Sequence, residues 1–223
     1  IGRIPVTGTM ALTGVGLTFP IIMIISAFAA LVGFGGAPLA SIRMGAGKRA
    51  EAQRLLALIE DIIHLSRLDE GGETVAFEPV ELSALCDTVR DRLQSKAAGK
   101  GIALRIEGEP AAVSGQRRTL EQMIFNLTDN AINYNEPQGS VTLTTGTENG
   151  RPFVQVADTG IGIAPADQQR VFERFYRVDK SHSKMTGGTG LGLSIVKHGA
   201  ALHHAEVELK SALGEGTCIT LRF

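Results

Sequence analysis

Tryptophan is absent from the 223 residues, cysteine occurs twice, and aromatic residues make up only 5%. Cys86 and Cys218 do not have the spacing of metal ligands, and so sparse a use of cysteine fits a reduced, cytoplasmic domain. A net charge of −1 leaves no electrostatic footprint for nucleic acid, and no basic, aromatic surface motif is present. Two common phosphate-binding signatures are missing as well. There is no GxxxxGK[ST] string, which excludes a Walker loop, and no GxGxxG string. No internal repeat is evident.

Charge is missing altogether between Arg3 and Arg43. The densest apolar run there, residues 17–34, has Pro20 near its start and fits one bilayer crossing, which takes roughly 20 apolar residues. Arg43, Lys48, Arg49 and Arg54 follow the run. By the positive-inside bias they put the C-terminal side in the cytoplasm, whereas a cleavable signal peptide would carry its basic residues ahead of the apolar region.

Downstream, the chemistry concentrates in three strings. The first is NLTDNAINYN, residues 126–135. Over 119–134 the apolar residues Leu120, Ile124, Leu127 and Ala131 recur at the spacing of an amphipathic helix. Asn126, Asn130 and Asn133 form a second stripe on it. Asn is a middling helix former, so three on one face point to a use beyond solvation. Its neutral carbonyl oxygen suits Mg²⁺, which takes few protein ligands and fills its octahedron with phosphate oxygens and water.

The second string, DTGIGI at 158–163, follows an expected strand over 151–157. An acid at a strand end can accept a hydrogen bond from an exocyclic amine, and Gly160 and Gly162 let the backbone turn tightly toward a flat ring. The third, GGTGLGLSIVKH at 187–198, sets glycines ahead of a helix start, where free backbone N–H groups make an anion site suited to phosphates. Between the second and third strings, residues 171–186 read as a short helix and a mobile lid. Phe172, Phe175 and Tyr176 anchor it, the two phenylalanines as core residues.

Elsewhere the pattern predicts a strand near 74–77, a helix over 80–96, strands near 102–106 and 111–114, and strands over 140–145, 205–211 and 217–223. Grouped strands and helices of this kind imply an α/β sandwich with helices on one face of a mixed sheet. Gly71 and Gly72 mark a hinge ahead of it. Residues 51–70 form one further helix, in which Leu55, Leu58, Ile59, Ile62, Leu65 and Leu68 give the spacing of a bundle helix that packs against partners.

Residues 52–223 resemble the C-terminal part of a bacterial two-component sensor histidine kinase, whose ATP-binding domain has the GHKL (Bergerat) fold. NLTDNAINYN is similar to the N box, DTGIGI to the first glycine box, FERFYRVD to the F box, GGTGLGLSIVKH to the second glycine box, and GEGT at 214–217 to the last small glycine motif. The resemblance implies ATP and Mg²⁺ as cofactors. It makes Asn130 the metal ligand and Asn126 its helical partner near the phosphates, and it sets Tyr134 against the nucleotide. Asp158 would bind the adenine amino group, and Gly160 and Gly162 would shape the base pocket. Gly188, Thr189, Gly190, Leu191 and Gly192 would cradle the phosphates, and Arg177 would assist transfer. Asn133 stands where the family often has Lys, which would weaken one phosphate contact.

The related gyrase, heat-shock-protein-90 and mismatch-repair branches carry a water-activating Glu where this chain has Asn126. Without that base, phosphoryl transfer to an outside nucleophile is favoured over hydrolysis. The family's phosphoacceptor string, of the type SHELKTPL, is absent. His64 lies on the bundle helix outside any such motif, and His182, His198, His203 and His204 read as ordinary polar residues.

The expected organisation is a membrane segment over 1–50, the second helix of a dimerisation hairpin over 51–70, and the ATP-binding domain over 71–223. The first segment resembles a transmembrane helix and loop of a multidrug and toxin extrusion transporter, with Gly33, Gly35, Gly36 and Ala37 suited to close helix packing. The expected function is a membrane-tethered kinase that faces the cytoplasm and works with a response regulator and with the helical hairpin of a partner or a second copy. The alternatives are an ATP-binding pseudokinase that pairs with an intact kinase, and a non-functional fusion fragment.

Overall fold

The computed structural model describes residues 76–178 and 189–223, with Ile59 alone ahead of them in helical conformation. The chain divides into two units, Ile1–Glu60 and Asp61–Phe223, and the elements below belong to the second. Outside the described residues lie the expected membrane segment at 17–34, the bundle helix at 51–70 apart from Ile59, the hinge glycines, and residues 179–188 of the lid, which include His182 and Gly188. Among the described residues, no helix is long and apolar enough to cross a membrane.

The elements run β1 (Glu78–Glu81), α1 (Leu82–Gly99), β2 (Ala103–Gly108), β3 (Ala112–Gly115), α2 (Arg117–Asn133), β4 (Ser140–Glu148), β5 (Arg151–Asp158), a 3-10 turn (Arg170–Phe172), α3 (Gly192–Leu202), β6 (Glu206–Ala212) and β7 (Gly216–Arg222). Five strands form one mixed sheet in the order β2-β4-β5-β7-β6, and β1 and β3 pair separately. Only β2 and β4 are parallel within the larger sheet; the other neighbours are antiparallel. Asn149 and Gly150, both at positive φ, make the tight turn between β4 and β5.

Strand alternation directs Val141, Leu143, Val154, Val156, Ile219 and Leu221 into the core. Against them lie α1, which buries Leu85, Cys86, Val89 and Leu93, and α2, on which the expected stripe of Leu120, Ile124, Leu127 and Ala131 is buried throughout. Burial pushes the Cys86 thiol up to about 12, so it is protonated and inert at neutral pH. The intervening strand positions are polar: Gln155 Nε2 donates to Thr220 Oγ1 at 3.0 Å, and Arg222 reaches Glu148 and Glu208. The two-layer arrangement expected from the sequence is therefore present.

The first strand differs from the expectation. Ala76 and Phe77 have no regular structure, and Val80 and Glu81, expected to open the helix, belong to β1. Their partner is distant in sequence: Val80 lies opposite Val113 of β3. The helix starts only after the Leu82 N–H donates to the Ala111 carbonyl, at 2.8 Å. At the other end of α1, Lys100 donates to the Ile132 and Asn133 carbonyls, each at 3.2 Å. These last carbonyls of α2 have no partner within the helix, and a cation there opposes the helix dipole.

Leu143 is fully buried at the centre of this core. Leu143→Ala removes its packing and leaves a cavity, so the full chain should lose about 2–5 kcal/mol in urea unfolding. A loss under about 1 kcal/mol would show that β4 is not a core strand.

Candidate functional site

Three segments converge beside the C-terminal half of α2: the end of β5 with its glycine loop, the start of α3, and the chain after the 3-10 turn. At the start of α3, a Cβ placed on Gly192 would lie 3.6 Å from Asn130 Nδ2 and 3.7 Å from Asn126 Cγ and Oδ1. The two amides thus stand against the first turn of α3. Asn126 Nδ2 is buried without a hydrogen-bond partner, the only side-chain atom in that state among the described residues. An unsatisfied buried donor is costly, and an arriving acceptor would satisfy it.

The N-cap of α3 is Leu191, with no side-chain cap, so the first N–H groups of the helix point out of its end. Leu191 is itself fully buried and its N–H is held by Thr189 Oγ1 at 3.2 Å. Gly190, at φ 75°, is packed so closely on Phe175 that a Cβ would lie 3.0 Å from the Phe175 Cα. Phe175 N–H donates to the Gly190 carbonyl at 2.9 Å. Phe175 has a left-handed backbone there, φ 62°, and is 61% exposed. The expectation that Phe175 is a core residue is therefore corrected: the backbone geometry of the loop, not apolar burial, fixes its place. Phe172 is half-buried. Tyr176 anchors the segment by donating its hydroxyl to Asp167 Oδ1 at 2.5 Å beneath the Arg170 guanidinium, which lies 4.2 Å from the ring centroid. Arg177, the next residue, is half-buried.

At the other end of the site Asp158 closes β5. Its Oδ1 accepts from the Gly160 N–H at 2.8 Å and from the Thr217 N–H at 3.2 Å, leaving Oδ2 outside both bonds. Burial raises the Asp158 carboxyl above the ordinary carboxylate range, and the two N–H donors offset part of the rise. A cleft of about 460 Å³ opens here, lined by Asp158, Ser211, Glu215, Thr217 and Cys218 among others. It does not extend to Asn126 or Gly192.

Gly160 and Gly162 are dictated by neighbouring backbone. A Cβ on Gly160 would collide with the Tyr134 carbonyl oxygen, and one on Gly162 with that of Ala212. The Ile161 N–H donates to the same Tyr134 carbonyl at 3.1 Å. Tyr134 thus caps α2 and holds the glycine loop, with its side chain 42% exposed. Asn133 stands apart from the other two asparagines. Its Nδ2 donates to Asp129 Oδ2 at 2.8 Å, and its Oδ1 lies 3.5 Å from Lys100 Nζ.

Sequence reasoning missed the residues that hold the glycine loop from behind. Ser211 Oγ accepts the Ile163 N–H and donates to the Gly216 carbonyl, each at 2.8 Å. Gln168 Nε2 donates to the carbonyls of Ile163 and Ser211. No local pattern marks these positions, because their partners come from three different elements. Among the described residues, no group of His, Cys, Asp and Glu is placed to hold a metal ion. The oxygens beside the α3 N-terminus are neutral amides, a set that fits Mg²⁺ only when phosphates complete its shell.

Residues 115–223 match the family described as the histidine kinase-, DNA gyrase B-, and HSP90-like ATPases. This stretch is thus similar to the ATPase domain of that family. It and the residues ahead of it are 39% identical over 173 residues to the sensor-like histidine kinase SenX3 of Mycolicibacterium smegmatis, covering 77% of this chain and 45% of that protein. They are 34% identical over 174 residues to the phosphate regulon sensor protein PhoR of Pseudomonas aeruginosa, covering 78% and 39%. The chain thus spans less than half the length of these relatives. Among solved structures, full-length ShkA in complex with AMPPNP superimposes with a TM-score of 0.73 at 27% identity, over 88% of this chain and 45% of that one. The mycobacterial sensor histidine kinase MprB gives a TM-score of 0.58 at 28% identity, over 66% and 96%.

The raised Asp158 carboxyl carries a prediction for the ligand-free chain. A folded-state value above the unfolded one means that the folded state binds more protons in the interval between them, so stability falls as pH rises through that interval. Asp158→Asn keeps the Oδ1 acceptor and removes the charge. The variant should melt no lower than the parent at pH 7, and its melting temperature should lose the downward step seen in the parent as pH rises out of the acid range; an unchanged step would assign it to another group.

Proposed function

We propose that the chain is the ATP-binding, phosphoryl-transferring part of a two-component sensor histidine kinase. The observation that carries this reading is the Asn126 side chain, its Nδ2 buried and unpartnered, beside the uncapped first turn of α3. A polyanionic phosphate chain supplies acceptors for both, whereas an ordinary helix–helix contact leaves them unsatisfied. Nucleotide specificity is assigned to Asp158, whose Oδ2 accepts the exocyclic amine of adenine. The glycine loop and Tyr134 form the walls of the base site. Phosphates lie along 188–192, with Arg177 neutralising charge as it develops.

The Asn130 amide oxygen would hold Mg²⁺, with Asn126 beside it, and the ion would supply charge neutralisation for the phosphate oxygens. Asn126 also separates the reading from that of a hydrolase. An amide cannot take a proton from water as a carboxylate can, so the γ-phosphoryl group waits for an imidazole nucleophile. In this proposal the acceptor His lies on the helical hairpin of a partner kinase, which presents it in trans. From there the phosphoryl group passes to the Asp of a response regulator. The upstream residues complete the proposal: 51–70 are the second helix of the dimerisation hairpin, and 17–34 are a transporter-like membrane segment that keeps the domain on the cytoplasmic face. Transport by one such helix is not part of the proposal.

The test uses the full chain with labelled ATP, Mg²⁺ and an added helical hairpin bearing an acceptor His. Acid-labile label is expected on the hairpin, and Asn130→Ala should reduce its rate of appearance by about 100-fold, the scale of losing electrostatic positioning in phosphoryl transfer, with little change in melting temperature. ATP binding without label on any histidine would leave the pseudokinase reading, and no ATP binding would remove both.

A further inference from the structure

His203 was expected to be an ordinary polar residue, yet it is 7% exposed and lies in a slot between aromatic rings. Its ring stacks on Phe77 at 5.1 Å between centroids and meets Phe223 edge-on at 6.4 Å. Both ring nitrogens are used. Nδ1 lies 2.7 Å from the Gly199 carbonyl, one turn back on α3. Nε2 lies 2.9 Å from the backbone N–H of Gln116, the N-cap residue of α2. A carbonyl only accepts and an N–H only donates, so the proton sits on Nδ1 and Nε2 is bare. The contact admits a neutral imidazole alone.

The position of this bridge connects it to the nucleotide site. Helices α2 and α3 run antiparallel, and one face of α3 follows α2 along its length. Gly192 lies against Asn126 and Asn130; Gly199 lies against Met123 and Thr119, where a Cβ would come within 2.6 Å of the Met123 sulfur. His203, one turn further, reaches Gln116. Gly199 permits the close approach, a Cβ at Gly192 would make only ordinary contact, and neither glycine has a side chain to lock the helices against sliding. His203 is the directional bond in this row.

We propose that His203 is a positioning residue for the nucleotide site: its neutral imidazole pins the far ends of α2 and α3 and thereby sets where the Asn126 and Asn130 amides stand against the phosphate-binding turn, and its protonation releases that register. The inference rests on the ATP-site reading above. A proton on Nε2 would place donor against donor, at the positive end of the α2 dipole. The negative end of α3 and the Gly199 carbonyl act the other way. Burial outweighs them and holds the imidazole below the ordinary histidine range. The side chains around the ring, Phe77, Leu120 and Phe223, carry no charge, and His204, next along the chain, is the ionisable group beside it. Because the unfolded chain binds this proton more readily than the folded one, the bridge's contribution to stability is complete above the ordinary histidine value and is lost as pH falls through the lower value of the folded chain.

The test compares the full-length parent with His203→Gln, which keeps an acceptor within reach of Gln116 and cannot ionise, and His203→Leu, which removes the bond. Two measurements are made between pH 5 and pH 8: MgATP affinity, and the NMR positions of the Gly192 amide and the Asn126 and Asn130 side-chain amides in the ligand-free chain. In the parent, all three resonances should move together with the His203 titration, and MgATP affinity should fall about three- to tenfold, the scale of one hydrogen bond. His203→Gln should hold both constant apart from the titration of ATP and the other histidines, and His203→Leu should bind weakly at every pH. Resonances that ignore His203 in the ligand-free chain overturn the inference, whether or not ATP binds. Resonances that follow it in a chain that does not bind MgATP retain the register bridge and overturn the ATP-site reading instead.

Discussion

Helices α2 and α3 must approach closely enough for the first turn of one to meet the amide side chains of the other, and the rest of the site is built around that approach. A side chain at 199 would hold the axes apart, because its Cβ would meet the Met123 sulfur at 2.6 Å, whereas a Cβ at 192 would make only ordinary contact. With glycine at 199 the helices close on one another, and the first turn of α3 comes to lie beside Asn126 and Asn130. The result is a place where helix N–H groups and side-chain amides converge with no charged side chain of the helix pair at the contact. Such a surface is poorly satisfied by itself and well suited to a multiply charged anion with its cation.

The second half of the site depends on a different device, the packing of backbone on backbone. The loop after β5 is clamped between the end of α2, through Tyr134, and the β6–β7 hairpin, through Ala212 and Ser211. Asp158 sits at the focus of this clamp. One of its oxygens is consumed in bonding the loop and the start of β7, and the other remains outside those bonds. A single carboxylate therefore both closes the sheet edge and presents an acceptor, and the loop cannot shift without disturbing the acceptor's aim.

What could be read from the sequence follows from this division. The asparagine-bearing helix, the loop after β5 and the start of α3 were legible because their residues answer local demands: a buried stripe every three to four positions, a turn that excludes Cβ, a helix without a cap. Most strands of the large sheet were legible for the same reason. The start of α1 was not, because Val80 is held by Val113, more than thirty positions away. Phe175 was misplaced in the core because composition carries no record of a left-handed backbone. His203 and His204 show the limit most clearly. The two are chemically identical neighbours, yet one is buried and bonded through both nitrogens while the other, at φ 52°, faces solvent. Only the tertiary position of the α3 terminus distinguishes them.

The order of the large sheet has a consequence for how this protein behaves in concentrated solution. Its two end strands, β2 and β6, present ladders that another chain could extend. Both are guarded by ionised residues at alternate positions: Arg105 and Glu107 on β2, and Glu206, Glu208 and Lys210 on β6, the last two paired with each other. Docking a foreign strand there would strip these charges of water and of their partners. The sheet thus resists edge-to-edge association at both rims by burdening any intruder with desolvation.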